Sequence, residues 1–179
     1  MTEARLVEGE HGGLVPQDEG WFVLNARDAP WGVGHFGKVC IFENEDEARF
    51  PQVGINIKVL DPGQPLCFYH RENAQEDFLV LAGECLLIVE GEERPLRQWD
   101  FVHCPAGVDH VFVGAGTGRS VVLAVGARVE PEELFYPAEP AAQRHGAAVQ
   151  VETADGDVAY AEYRGGGRWA RYEEGWLPG

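Results

Sequence analysis

Long apolar runs are missing from this chain, in which no window approaches the roughly 18 consecutive apolar residues that a membrane-spanning helix needs. The opening residues, MTEARLVEGEHGG, lack a basic segment followed by an apolar one. Together these absences predict a cytoplasmic location and no membrane partner. Positive charge is scarce as well, with 14 Lys and Arg against 30 Asp and Glu and a formal net charge of -16. Such a surface repels phosphate backbones and anionic lipid heads, so nucleic acid is not an expected partner. Cysteine is sparse and scattered: Cys40, Cys67, Cys85 and Cys104 form no CxxC pair and sit mostly inside apolar runs, which predicts buried free thiols rather than disulfides or a zinc-thiolate knuckle. No glycine-rich phosphate loop, nucleophile elbow or HExxH helix is present, which removes several enzyme classes.

The 179 residues, 45% of them apolar, are enough for one domain with a core. Residues 1–20 carry few apolar side chains and read as a flexible arm, 21–128 as a strand-rich domain, and 129–179 as an extension that packs on it or on a partner subunit. Strands are predicted at 21–24 and 38–42, separated from the next by a charged, solvated loop at 43–47. From 54 to 60, Ile55, Ile57 and Val59 alternate with Asn56 and Lys58, the period of a strand with one buried face. Further short apolar segments follow at 66–69, 78–81, 85–89, 101–104, 111–113 and 121–127, with turn signals between them, a spacing that predicts an antiparallel sandwich or barrel. After Arg128 the texture changes to a helical turn at 131–136, a short helix at 139–145 stopped by Gly146, and a helix within 153–163. Trp169, Tyr172 and Trp176 crowd the polar end, and so many exposed aromatics would be costly, so this tail is expected to pack on the barrel or a second subunit.

Four polar side chains stand out against this apolar background. In a strand, His70 and Glu72 face one side while Tyr69 and Arg71 face the other. A turn through 73–75 brings Glu76 onto the next antiparallel strand, facing the same space, and His110 arrives from a separate hairpin after Pro105-Ala-Gly107. Two imidazoles and two carboxylates converging from rigid strands suit one first-row divalent metal ion.

The spacing is specific. His70-Arg-Glu72-Asn-Ala-Gln-Glu76, six residues and then Gly83 resemble the first motif of the cupin superfamily, H-x-H-x3-E-x6-G. Trp99, five residues, Pro105-Ala-Gly107, two residues, His110, three residues and Gly114 resemble the second, G-x5-P-x-G-x2-H-x3-N. The resemblance implies a double-stranded β-helix, or jelly-roll barrel, with extra N-terminal strands and short C-terminal helices. It carries over His70, Glu76 and His110 as metal ligands. Glu72 stands where the family has its second histidine, and Trp99 and Gly114 replace the motif's glycine and asparagine. As a ligand, Glu72 rests on position and same-face geometry. Two carboxylates would cancel a divalent charge and harden the site toward zinc, iron(II) or manganese. The resemblance also implies a homodimer built by exchange of edge strands.

For a small-molecule ligand, Phe68, Phe78, Val80 and Phe112 share the ligands' strand face and would line the cavity, or simply fill a small barrel. Gln75 lies beside Glu76, within reach of a metal-bound water; His103 is either a supporting partner or a core histidine. Lys58 and Arg71 are the nearest cations in sequence and could hold an anionic substrate, although solvent is the expected surrounding of each, and Asp109 is expected to point away from His110. The resemblance implies a metal-dependent enzyme acting on a small organic molecule, of oxygenase, isomerase or decarboxylase type. A non-catalytic small-ligand-binding barrel and a structural barrel without metal remain as alternatives.

Overall fold

The structure is a computed structural model describing residues 2–44 and 49–178. Within the stretch expected as a flexible arm, β1 (Leu6–Glu8) and β2 (Leu14–Pro16) form an antiparallel hairpin, and Ala4 is buried. The strand expected at 21–24 is reduced to one bridge between Trp21 and Glu3. Trp21 and Val23 are exposed.

Next come β3 (Trp31–Gly34) and β4 (Gly37–Ile41), hairpin partners closed by the Gly34–Gly37 pair, then β5 (Val53–Leu60). At Gly37 the backbone is left-handed (φ +84), and a Cβ there would lie 2.8 Å from the Val59 carbonyl oxygen. Glu43, expected in a solvated loop, is instead buried, accepting the Phe50 N–H at 2.6 Å and pairing with Arg128; residues 45–47 of that loop lie outside the described residues.

The segment 66–69 is not a regular strand. Pro65 and His70 make isolated bridges to Val113 and His110, and Leu66 N–H donates to the Phe112 carbonyl. The side chains of Leu66, Phe68 and Tyr69 go to different apolar clusters, which a uniform two-residue alternation would not allow. The chain then runs through β6 (Arg71–Glu72), β7 (Glu76–Ala82), β8 (Glu84–Val89), β9 (Glu92–Arg97), β10 (Phe101–Cys104), β11 (His110–Ala115) and β12 (Ser120–Ala127). The polar sequence of β9 hid it from pattern reading because it is an exposed edge strand.

Where a helical turn was expected at 131–136, β13 (Leu134–Phe135) pairs with β6, Leu134 opposite Glu72 and Phe135 opposite Arg71. The two-residue β6 thereby gains a ladder that local helical bonds could not supply. Then follow α1 (Pro140–Gln143), with Glu139 capping Ala141 N–H, and α2 (Gly156–Ala159), whose Asp155 side chain accepts from Asp157 and Val158. The last strand is β14 (Arg168–Ala170).

These strands form the double-stranded β-helix of the jelly-roll type. A seven-stranded sheet, ordered β10-β7-β12-β5-β4-β3-β14, faces a three-stranded sheet, β11-β8-β9, without closing into one continuous ring. Leu60, Phe78, Val80 and Val122 from the first meet Cys85, Leu87 and Phe112 from the second, and each large side chain buried there stabilises the fold by about 1.5–3 kcal/mol. Outside the three-stranded sheet, Ala141, Ala142, Ala147 and Ala148 cover Ile88, Val111 and Val113. Outside the larger sheet, Trp176 packs edge-on against buried Trp31, ring centroids 5.2 Å apart, beside Tyr172, Cys40, Val59 and Val121.

This packing inverts the simplest reading of β5. Its apolar residues Ile57 and Val59 face outward, beneath the terminal segments, while Asn56 and Lys58 on the other face line a cavity at the barrel mouth.

Candidate metal centre

His70 and His110 are locked side by side through their backbones: His70 N–H donates to the His110 carbonyl at 3.1 Å and His110 N–H returns a bond at 2.9 Å. Each ring is then oriented by a carbonyl two residues earlier. Nδ1 of His70 lies 2.8 Å from the Phe68 carbonyl oxygen and Nδ1 of His110 lies 3.0 Å from that of Val108. A carbonyl can only accept, so both Nδ1 atoms carry the proton and both Nε2 atoms turn to the cavity.

Glu76, at the start of β7, meets these nitrogens. One of its oxygens, Oε2, lies 3.2 Å from His110 Nε2 and 3.7 Å from His70 Nε2. Glu72, at the end of β6, places Oε1 3.4 Å from His70 Nε2. Donor atoms of His70, Glu76 and His110 lie within 4.8 Å of one another. Glu76 Oε2 and His110 Nε2 are buried without a directed hydrogen-bond partner among the described residues. Buried polar atoms are seldom left in this state, and two lone pairs facing each other call for a positive species between them.

The electrostatics point the same way. Burial works against the charge of His70, but Cys67, Glu72 and Glu76 outweigh it and raise its pKa well above the ordinary histidine value. Burial likewise opposes protonation of His110, yet Cys104 and Glu76 raise it to about 10. The Glu76 carboxyl, which burial alone would raise, is held below its ordinary value by His110, His70 and Lys58. Two imidazoles that hold protons this strongly, beside a Glu76 carboxylate that stays ionised, mark a site of negative potential that fits a divalent cation. His70, Glu76 and His110 would hold it, with Glu72 beside them.

The cavity has a volume of about 290 Å³. Of the residues expected to line it, Phe78 and Phe112 do. Phe68 instead turns into an aromatic cluster with Phe36, Tyr136, Tyr160 and Tyr163, because its segment is irregular. Val80 is fully buried deeper in the core. Gln75 and His103 lie on the outer surface, both bonded to Asp77, since β10 pairs with β7 so that His103 is opposite Asp77 and both alternate outward. Arg71 and Asp109 pair with each other at 3.1 Å, away from the imidazoles.

Lys58, expected in solvent, lines the cavity, as do Asn56 and Cys67. Burial lowers the Lys58 pKa, an effect partly offset by Cys67 and Glu76. The one sequence signal for Asn56 and Lys58 was their alternation within β5, which marks a shared face but not which face is inside. Two tyrosines of the C-terminal extension also reach the site. The Tyr136 ring stacks on His70 with centroids 5.9 Å apart, and Tyr160 Oη accepts the Phe68 N–H at 3.1 Å.

An antiparallel double-stranded β-helix with two histidines and two glutamates at its mouth defines a class of barrel proteins built around a metal-ready cavity. A protein-family model, the cupin domain, matches residues 56–126, the stretch that holds every one of these residues. Residues 56–126 are thus a cupin domain, flanked on both sides by segments outside the match. Among solved structures the chain is similar to the polyketide cyclase RemF of Streptomyces resistomycificus, at 14% identity and a TM-score of 0.55, over 68% of this chain and 91% of that one. It is also similar to a predicted oxalate decarboxylase of Thermotoga maritima, at 18% identity and a TM-score of 0.50, over 60% of this chain and 99% of that one. A third likeness is to a sugar phosphate isomerase of the cupin superfamily from Silicibacter pomeroyi, at 20% identity and a TM-score of 0.49, over 86% and 83% of the two chains. At these identities the likeness is one of fold. No curated protein matches the sequence.

Proposed function

We propose that this cupin is a divalent-metal-dependent enzyme acting on a small organic molecule. The observation that carries the reading is the buried pair Glu76 Oε2 and His110 Nε2, without a directed hydrogen bond among the described residues, which lies with His70 Nε2 at a cavity that has room for a small ligand. A bound ion would supply Lewis acidity toward an oxygen-bearing substrate. The chain's own residues would hold the ion, position the substrate against Phe78 and Phe112, and keep the imidazole tautomers fixed through the Phe68 and Val108 carbonyls. Isomerase, decarboxylase and cyclase descriptions attach to the barrels of similar fold, and reactions of those types, with oxygenase chemistry beside them, form the set to be tested.

The test is the metal content of protein purified without a tag or added metal. Near-stoichiometric zinc, iron or manganese is expected in the parent and loss in His110→Ala; a metal-free parent that also fails to bind these ions on titration overturns the reading. Glu72→Ala, 3.4 Å from His70 in the parent, is expected to bind the ion more weakly, and unchanged affinity would remove Glu72 from the ligand set.

A further inference from the structure

The cavity beside the imidazoles carries a cation that none of the proposed metal chemistry uses. Lys58 projects from β5 into it, next to Asn56 on the same face, with Gly54, Ala124 and Gly126 also among the lining residues. The Lys58 ammonium makes no hydrogen bond or ion pair among the described residues; Cys67 and Glu76 act on it only at longer range. The other charges at this mouth are committed or exposed. Arg128 is tied to Glu43 and to the Phe50 carbonyl, and Glu132 stands exposed at the rim. Glu72 and Glu76 together would cancel a divalent ion, which leaves the Lys58 ammonium as the uncompensated charge of the cavity. A partly buried ammonium without a counter-ion is costly, and an anionic ligand removes that cost.

We infer that Lys58 is the anchor for a carboxylate on the substrate, so that the site selects small organic acids over their neutral analogues. Asn56, two residues earlier on the same face, is placed to donate a second bond to the same carboxylate. The inference deepens the metal-dependent reading of this site and rests on it. A carboxylate at Lys58 would hold one end of the substrate while its remaining oxygens face the imidazole side of the cavity.

The experiment is calorimetric titration of the metal-loaded protein with malonate and with its neutral diamide, malonamide. The parent is expected to prefer malonate. Lys58→Met, which keeps the volume and removes the charge, is expected to reduce that preference at least about tenfold with metal content unchanged, and Lys58→Arg to retain part of it. A parent that binds malonate no better than malonamide overturns the assignment, as does a Lys58→Met variant that keeps the preference. Should the parent hold no metal, the same pair of titrations on the metal-free protein still decides the role of Lys58, while the metal reading fails separately.

Discussion

Nε2 of His110 and Oε2 of Glu76 lie 3.2 Å apart, both buried, with no directed hydrogen bond among the described residues to satisfy either. A buried imidazole nitrogen and a carboxylate oxygen at this distance need a positive species, a proton or an ion, between them. Replacing one should therefore cost more in ion binding than in folding. Glu76→Gln is expected to weaken zinc or manganese binding by more than about 100-fold, beyond what the loss of a merely supporting contact costs. Titration against a competing chelator, with a circular-dichroism melt as the folding control, checks this.

Protons compete with the ion for the same atoms. A histidine raised in the folded state, as His110 is to about 10, contributes stability that is fully present below its unfolded value of about 6.5 and is lost as pH rises through about 10. His70 is raised in the same direction. Glu76, lowered, contributes stability present above the unfolded carboxylate value of about 4.3 and lost as pH falls through its folded value. Metal-stripped protein is expected to melt at progressively lower temperature from about pH 7 to about pH 10, and again on acidification below about pH 4. Ion binding should tighten over the same alkaline range and release protons near neutral pH, measurable as calorimetric heats that differ between buffers of different ionisation enthalpy.

The C-terminal extension reaches the metal centre through a relay of hydrogen bonds. Tyr160 Oη accepts the Phe68 N–H at 3.1 Å, and the Phe68 carbonyl accepts the His70 Nδ1–H at 2.8 Å. Tyr160→Phe leaves a buried N–H without its partner, a loss of about 1–3 kcal/mol. A fall in melting temperature of about 2–4 °C per kcal/mol is expected, together with about tenfold weaker ion binding as His70 loosens. A lower melting temperature with unchanged ion affinity would show the hydroxyl to be structural only.

Trp99 occupies the place of a motif glycine and adopts the backbone that glycine favours, φ +76, with its N–H donating to the Val80 carbonyl at 2.8 Å. Its side chain is 67% exposed, so little packing is lost on removing it. Left-handed backbone at a bulky residue costs of order 1–3 kcal/mol, and glycine's extra freedom in the unfolded chain returns part of that gain. Trp99→Gly is expected to raise stability by about 1 kcal/mol, read from the midpoint of a urea transition. A lower midpoint would mean that the indole is covered, as at an interface between subunits.

Much of the barrel was legible because its signals are local. Glu76–Ala82, Glu84–Val89 and Ser120–Ala127 carry apolar runs bounded by glycine turns, and at Gly83 a Cβ would meet the Arg119 carbonyl oxygen at 2.4 Å, so only glycine closes that turn. Leu134–Phe135 read as helical because nothing in its own sequence announces the pairing with Arg71–Glu72, some sixty positions earlier. Phe68 was placed in the cavity by assuming a regular strand; the bridges at Pro65 and His70 leave the residues between them free to turn, and Phe68 leaves for the tyrosines.

The division is a physical one. Spacing along the chain alone determined that His70, Glu72 and Glu76 come from one strand–turn–strand unit and that His110 follows a proline–glycine turn, because backbone periodicity and turn geometry act over a few residues. Only the tertiary structure decided that the polar face of Val53–Leu60 looks inward and brings Lys58 beside them, and that Tyr136 and Tyr160 brace His70. Those placements depend on which sheet covers which face, and that is set by apolar burial between segments far apart in sequence, Trp176 on Trp31 and Val121 beside Val59, rather than by any pattern within one segment.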